Sequence, residues 1–199
     1  MRSLVIWLVV SITAAFTPSI AWAHSETGAA AGFSHGFLHP LTGADHMLAM
    51  IAVGILAYQI GGRALWLVPI SFLLFMVAGG ALGITGANIP HVELGIALSV
   101  IILGAAIALG IAAPLIVTMS VVGIFAIFHG HAHGAEMPGS SNALGYALGF
   151  VSATALLHLG GIGIGMLIGR AGARHEPTLV RAAGGLMTVA GLGILSGAL

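Results

Sequence analysis

The sequence predicts an all-α, polytopic membrane protein with six transmembrane helices that follow a cleavable signal peptide. Three observations support this prediction. Charged residues make up 5% of the 199 residues, whereas soluble domains carry about 25%. Hydrophobic residues make up 59% of the chain, and its mean hydropathy is +1.14. Six apolar stretches, each long enough to cross a hydrocarbon core of ~30 Å, are separated by Gly, Pro and Asn residues.

Residues 1–23 are typical of a secretory signal peptide. Arg2 supplies the positive start, 4–16 form a short apolar stretch, and Ala21-Trp22-Ala23 resembles a cleavage signal. We therefore expect the mature chain, residues 24–199, to form a single six-helix domain that begins outside the cytoplasm.

The remaining apolar stretches are predicted to be helices, because a segment in lipid must satisfy its own backbone hydrogen bonds. A β-barrel would show short alternating segments instead, and the sequence has none. The predicted spans are 36–59, 64–85, 92–110, 114–134, 143–168 and 179–198.

The arginines predict the orientation of these spans. If the mature N-terminus lies outside, the loops after the first, third and fifth spans face the cytoplasm. Those loops hold Arg63, Arg170, Arg174 and Arg181, whereas the outer loops hold no arginine. This positive-inside pattern predicts a multi-pass protein of the bacterial inner membrane with a periplasmic N-terminus.

Several partners and sites are excluded by what the sequence lacks. Without cysteine there is no disulfide and no thiolate metal site. Zero net charge and the absence of Lys argue against nucleic acid as a partner. No G-x4-G-K-[ST] motif is present, so this chain does not hydrolyse ATP and implies no ATPase subunit. Nothing in the sequence sets the oligomeric state.

Ten histidines stand out in a chain that otherwise avoids polar residues. Ionisable side chains inside a bilayer are costly and mark functional paths by default. With the predicted orientation, three groups of such residues meet at the outer end of the bundle. They are His39, Asp45 and His46 at the start of the first span, Glu93 at the start of the third, and His129, His133 and Glu136 at the end of the fourth.

Helical spacing sets which side chains in the fourth span share a face. His129, His133 and Glu136 occupy positions i, i+4 and i+7 and therefore lie on one face of the helix. His131 points elsewhere.

In the first span, a continuous helix cannot bring all three polar side chains to one ion. His39 and His46 share a face, but Asp45 lies about 100° away from His46. Pro40 biases His39 toward an extended conformation. We therefore predict a break or a helix start at His39–Pro40, with Gly43 giving local freedom.

Imidazole and carboxylate groups without thiolate suit a borderline divalent cation, although ligand type alone does not separate Ni²⁺ from Co²⁺ or Zn²⁺. Three further histidines are candidates for the path of such an ion. His35 lies one turn before His39, His131 lies within the fourth-span group, and His158 lies deeper in the fifth span.

Two segments resemble the signatures of the HupE/UreJ family. The segment from His39 to Met47 is similar to HPxxGxDH, and the segment from Phe128 to Glu136 is similar to FHGxAHGxE. The resemblance implies a nickel or cobalt permease of six spans that accompanies hydrogenase or urease. By position, it assigns functional roles to His39, Asp45, His46, Phe72, Glu93, His133 and Glu136.

The combined interpretation is a non-enzymatic secondary permease that imports Ni²⁺ or Co²⁺ from the periplasm for a hydrogenase or urease. Its partners are the transported ion and the lipid bilayer, and no cofactor is permanently bound. Two alternatives stay open. One is a membrane accessory protein that binds metal without moving it. The other is an electron-transfer protein with haem held between histidines such as His46, His129 and His158.

Overall fold

The computed structural model describes residues 29–137, 142–170 and 176–198, so the predicted signal peptide and Arg174 lie outside the described residues. All regular secondary structure within these ranges is helical. The helices are α1 (Ala29–Thr42), α2 (Ala44–Ile60), α3 (Ala64–Ile84), α4 (Val92–Leu109), α5 (Leu115–Ala135), α6 (Ala143–Gly169) and α7 (Glu176–Leu195).

The predicted helical membrane fold is confirmed. Helices α3 to α7 are each long and apolar enough to cross a membrane, and α1 with α2 passes the same test as a bent pair. Counting that pair as one span gives six. Large apolar side chains such as Trp66, Leu74 and Ile116 are exposed on the outside of the bundle, where lipid tails would cover them.

The first span is broken, but not where the sequence predicts. Helices α1 and α2 meet at an angle of 84°, and the residue between them is Gly43, with extended angles φ −96° and ψ 120°. Pro40 remains inside the last turn of α1, where its missing N–H costs one hydrogen bond close to a helix end. The Thr42 hydroxyl donates to the His39 carbonyl at 2.7 Å, which satisfies one of the end carbonyls. The predicted break at His39–Pro40 is therefore wrong by three residues.

Two helix crossings are close because glycine leaves room for the neighbouring backbone. Gly130 of α5 lies against the Met76 carbonyl of α3, and Gly36 of α1 lies against the Tyr146 carbonyl of α6. A side chain at either glycine would overlap that backbone oxygen. These crossings hold α5 close to α3 and α1 close to α6.

One end of the bundle gathers most of the polar side chains, and we call it the histidine end. It consists of the ends of α1, α3 and α5 and the starts of α2, α4 and α6, which contact one another there. The opposite end, which we call the arginine end, places Arg181 of α7 against Gly110 at the end of α4.

Candidate metal-binding site

Three imidazole rings pack together inside the histidine end, and we call them the imidazole cluster: His46, His129 and His133. His46 comes from the first turn of α2, while His129 and His133 lie one turn apart on α5. The ring centroid of His46 lies 4.9 Å from that of His129 and 4.7 Å from that of His133. The break at Gly43 makes this possible, because it starts a new helix that directs His46 toward α5.

Asp45 determines which nitrogen of His46 is free. Its Oδ1 lies 2.9 Å from His46 Nδ1 and also accepts the His46 backbone N–H at 2.7 Å. An ionised carboxylate can only accept, so Nδ1 carries the hydrogen. His46 Nε2 is then left with a lone pair, and this atom is buried without a hydrogen-bond partner.

Ser99 of α4 likewise determines which ring nitrogen of His129 carries the hydrogen. The Ser99 hydroxyl donates its single hydrogen to the Ile96 carbonyl at 2.6 Å, and its oxygen lies 3.0 Å from His129 Nε2. Because that hydrogen is already used, Ser99 accepts from His129 Nε2–H. A neutral His129 therefore keeps its lone pair on Nδ1, which is also buried and unpartnered.

His133 completes the cluster with two unpartnered nitrogens. Its ring is fully buried and stacks on Phe150 with centroids 5.4 Å apart and planes 19° apart. Neither ring nitrogen has a hydrogen-bond partner. Buried polar groups are normally paired, and leaving one unpaired costs about 1–3 kcal/mol. Several such nitrogens on rings that contact one another indicate a site for an electron-pair acceptor.

An open vestibule adjoins the cluster. His39 Nε2 lies 2.8 Å from Glu136 Oε2, with both side chains partly exposed, and the His39 ring centroid lies 4.9 Å from that of His133. The space above them measures about 300 Å³. Its lining residues are His35, Leu38, His39, Thr42, Glu136 and Tyr146. A small solute can therefore reach His39 and Glu136 from outside the bundle.

The present side-chain positions do not form a finished coordination shell. Within the described ranges, no three His, Asp or Glu side chains stand where they could hold one ion. The imidazoles instead contact one another edge-on or at a tilt, while the carboxylates of Asp45 and Glu136 each pair with a histidine. Binding an ion would require the rings to rotate so that their free nitrogens converge.

Glu93 and His131 lie apart from both the imidazole cluster and the vestibule. Glu93 lies in the first turn of α4 with an exposed side chain, and no hydrogen bond or ion pair links it to another described residue. His131 points away from the cluster, and its Nε2 donates to the Ala87 carbonyl at 2.6 Å. That contact ties the end of α5 to the connection between α3 and α4.

Phe72 and His158 lie on the inner side of the cluster. Phe72 of α3 is fully buried, and its ring contacts His129 with centroids 5.6 Å apart. The same ring contacts His158 of α6 at 5.0 Å. The remaining path candidate, His35, lies in the exposed wall of the vestibule.

Three residues of the site were not identified from the sequence. Ser99 is a lone hydroxyl in an apolar helix, and no motif in the sequence marks it. Tyr146 is one of two tyrosines in the chain; its ring is buried, and its hydroxyl has no hydrogen-bond partner. Phe150 has no polar group, so no sequence signal separates it from ordinary core residues.

A larger cavity of about 500 Å³ lies at the arginine end and is not a candidate for a cation. Gln59, Gly110 and Arg181 contribute to its wall. A permanently charged guanidinium in the wall repels a divalent ion. The chemistry suited to metal lies at the opposite end.

Comparisons with known proteins agree with the motifs. A sequence model described as "HupE / UreJ protein" matches residues 12–194 of the chain. The chain is also similar to Protein HupE of Rhizobium leguminosarum bv. viciae, with 46% identity over 191 residues that cover 96% of this chain and 97% of that protein. No solved structure matches the chain.

Proposed function

The chain belongs to the HupE/UreJ family, and we propose that it is a secondary permease that imports Ni²⁺ or Co²⁺ through the inner membrane. The imported ion would supply a metalloenzyme such as a hydrogenase or urease. The observation that carries this proposal is the imidazole cluster, in which buried nitrogens of His46, His129 and His133 lack partners directly beneath an open vestibule.

Capture begins in the vestibule, which faces the periplasm. The Glu136 carboxylate and the His39 imidazole are partly exposed there, so they meet the hydrated ion first and replace part of its water. Glu93 adds an exposed carboxylate at the same end, which raises the local concentration of cations.

The ion then passes to the imidazole cluster. His46 Nε2, His129 Nδ1 and one nitrogen of His133 rotate to face it. Asp45 acts on the ion through His46. Its carboxylate, bonded to His46 Nδ1, holds the ring in place and makes Nε2 more basic. Nitrogen ligands favour Ni²⁺ and Co²⁺ over Mg²⁺ and Ca²⁺, which prefer oxygen.

Inward movement needs no nucleotide. The membrane potential contributes about 2.3 kcal/mol per charge per 100 mV, so a divalent ion gains roughly 4–5 kcal/mol for a full crossing at that potential. Binding to a metalloenzyme inside the cell removes free ion and keeps the gradient directed inward.

Uptake into liposomes tests the proposal. We expect liposomes with the full-length protein to accumulate Ni²⁺, and competition by Co²⁺, Zn²⁺ and Cu²⁺ measures which other ions use the same path. His46→Asn removes one cluster nitrogen and should lower the initial rate at least about ten-fold. His91→Asn is the matched control, because His91 is exposed with φ 57° and Asn tolerates that conformation.

Uptake, Ni²⁺ binding and the absorption spectrum of the same purified protein together separate the alternatives. No accumulation above empty liposomes would contradict transport. Tight Ni²⁺ binding without accumulation would favour an accessory protein that binds metal without moving it. A haem absorption spectrum in the purified protein would favour electron transfer.

A further inference from the structure

His158 is a buried imidazole that the capture of an ion at the histidine end does not use. It lies on α6, is 1% exposed, and neither of its ring nitrogens has a hydrogen-bond partner. A histidine that served only to hold helices together would be expected to use at least one nitrogen in a hydrogen bond. Its two free nitrogens therefore need another explanation.

Phe72 separates His158 from the imidazole cluster. The Phe72 ring contacts His129 on one side, at 5.6 Å, and His158 at 5.0 Å with the planes 85° apart. Within the described residues, no ring contact joins His129 and His158 directly. The Phe72 ring, which has no atom that can bind an ion, therefore lies between His129 of the cluster and His158.

His158 also lies deeper in the bundle than the cluster. Its backbone carbonyl packs against Gly54 of α2, which follows His46 by eight residues on the same helix. A rise of 1.5 Å per residue places that level about 12 Å inward from His46. In a hydrocarbon core of about 30 Å, such a position lies well inside the membrane, beyond reach of the vestibule.

The surroundings of His158 supply further donor atoms and room to move. Thr154 lies one turn before it on α6, and the Thr154 hydroxyl donates to the Met76 sulfur at 3.6 Å; both side chains are fully buried. Imidazole is the group here that suits Ni²⁺, whereas a thioether is a softer ligand, so His158 is the main ligand at this level. On its other side, His158 borders a cavity of about 150 Å³ between α3 and α6, next to Pro69 and Ile162. The imidazole therefore has open space beside it.

We propose that His158 is a second binding position for the divalent ion, separated from the imidazole cluster by the ring of Phe72. This inference rests on the proposed transport function. The ion leaves the cluster when the Phe72 side chain swings aside, and His158 then receives it, with Thr154 and Met76 adjacent. Two positions of moderate strength allow an ion to move on, whereas one strong site would retain it.

Replacing His158 tests this proposal in the full-length protein. We expect His158→Gln, which keeps a polar side chain of similar length, to lower the initial rate of Ni²⁺ uptake into liposomes at least about ten-fold. Equilibrium binding to the same variant should still detect the Ni²⁺ held at the cluster. Ile162→Ala is the matched control, because Ile162 is buried one turn further along α6 and borders the same cavity. We expect that control to retain uptake.

Each other outcome would overturn the inference. Uptake by His158→Gln at the rate of the parent protein would show that the ion does not pass through His158. A second variant, His158→Ala, removes the ring altogether. Equal losses of uptake in His158→Ala and Ile162→Ala would assign the effect to packing, and so would loss of the folded bundle in both His158→Gln and His158→Ala. Loss of all Ni²⁺ binding in His158→Gln would show that the imidazole cluster and His158 form one binding site and not two. Failure of the transport function itself looks different, because the parent protein would then accumulate no Ni²⁺.

Discussion

The Asp45 carboxylate fixes the tautomer of His46 and thereby leaves Nε2 free to face the cluster. Ser99 does the same for His129 from a different helix. In each case a hydrogen bond on one ring nitrogen decides that the other can act as a metal ligand. These two contacts, at 2.9 Å and 3.0 Å, leave two imidazoles each with a lone pair for the proposed ion.

Replacing Asp45 with its amide should disturb this preparation while leaving the side-chain size almost unchanged. An amide can offer either its oxygen or its NH₂ group to His46 Nδ1, so the position of the lone pair is no longer fixed. We expect Asp45→Asn to reduce Ni²⁺ uptake by about 10–100-fold. Liposome uptake measures the effect, and circular dichroism verifies the helical content. Uptake equal to that of the parent protein would contradict this role for Asp45.

Removing the Ser99 hydroxyl should have a smaller effect. Ser99→Ala deletes one hydrogen bond to His129, which is worth about 1 kcal/mol, so we expect a roughly five-fold weaker affinity for Ni²⁺. Ser120→Ala is the control, because Ser120 is exposed on α5 and bonds only to the Ile116 carbonyl. Calorimetric titration of both variants distinguishes them. Equal affinities would show that Ser99 does not prepare His129.

The sequence identifies those site residues whose chemistry is unusual for a membrane span. Asp45, His46 and Glu136 are conspicuous because charge is costly in lipid. Ser99 and Tyr146 are not, since hydroxyl groups in apolar helices commonly bond to their own backbone. Their role depends on which ring they meet, and that is a property of the packed bundle.

At the scale of helices, the break between α1 and α2 brings residues from two sides of the same span into one site. Gly43 leaves just enough space there. A Cβ atom at this position would lie 2.7 Å from Asp45 Oδ1 and 3.1 Å from His46 Nδ1. The backbone angles of Gly43 are open to any residue, so the restriction comes from the neighbouring side chains alone.

We therefore expect Gly43→Ala to impair the site without unfolding the bundle. The added methyl group displaces the Asp45–His46 pair, so Ni²⁺ uptake should fall while the melting temperature in detergent changes little. Gly160→Ala serves as the control, because no heavy atom lies within 4 Å of the new Cβ atom. Unchanged uptake in Gly43→Ala would mean that the pair tolerates displacement.

The positions of the helices were more predictable than the break. Lipid requires long, uninterrupted apolar stretches, so α3 to α6 begin and end within two residues of the predicted spans. The sequence predicts the break at His39–Pro40, because proline disfavours a helix at the residue before it. Near a helix end that cost is small, and the extended residue is Gly43.

At the scale of the whole molecule, the gathering of histidines and carboxylates at one end was predictable from topology. Alternating spans bring the start of α2 and the end of α5 together whichever way each helix turns about its axis. Rotation is harder to predict, because a helix that is apolar all round gives no preferred face. For this reason the sequence correctly predicts that Glu93 of α4 lies at the histidine end, but it does not predict that the side chain is exposed outside the cluster.

The orientation of the bundle can be measured directly, because the chain has no cysteine of its own. Asn88 is exposed at the histidine end, and Arg63 is exposed in the connection between α2 and α3. From the arginine distribution, we expect Asn88→Cys to react with a membrane-impermeant maleimide in intact spheroplasts. Arg63→Cys should react only after the membrane is opened. The reverse pattern would place the vestibule in the cytoplasm and contradict import.

The unpartnered imidazole nitrogens also affect the stability of the folded protein when no ion is bound. In that state the interior of the histidine end keeps polar atoms away from both water and donors, which makes the folded form less favourable. A bound cation gives those atoms a partner and favours the native state by mass action. We therefore expect the ion of the proposed function to act as a structural ligand as well, so that a cell starved of metal holds this protein in its least stable form.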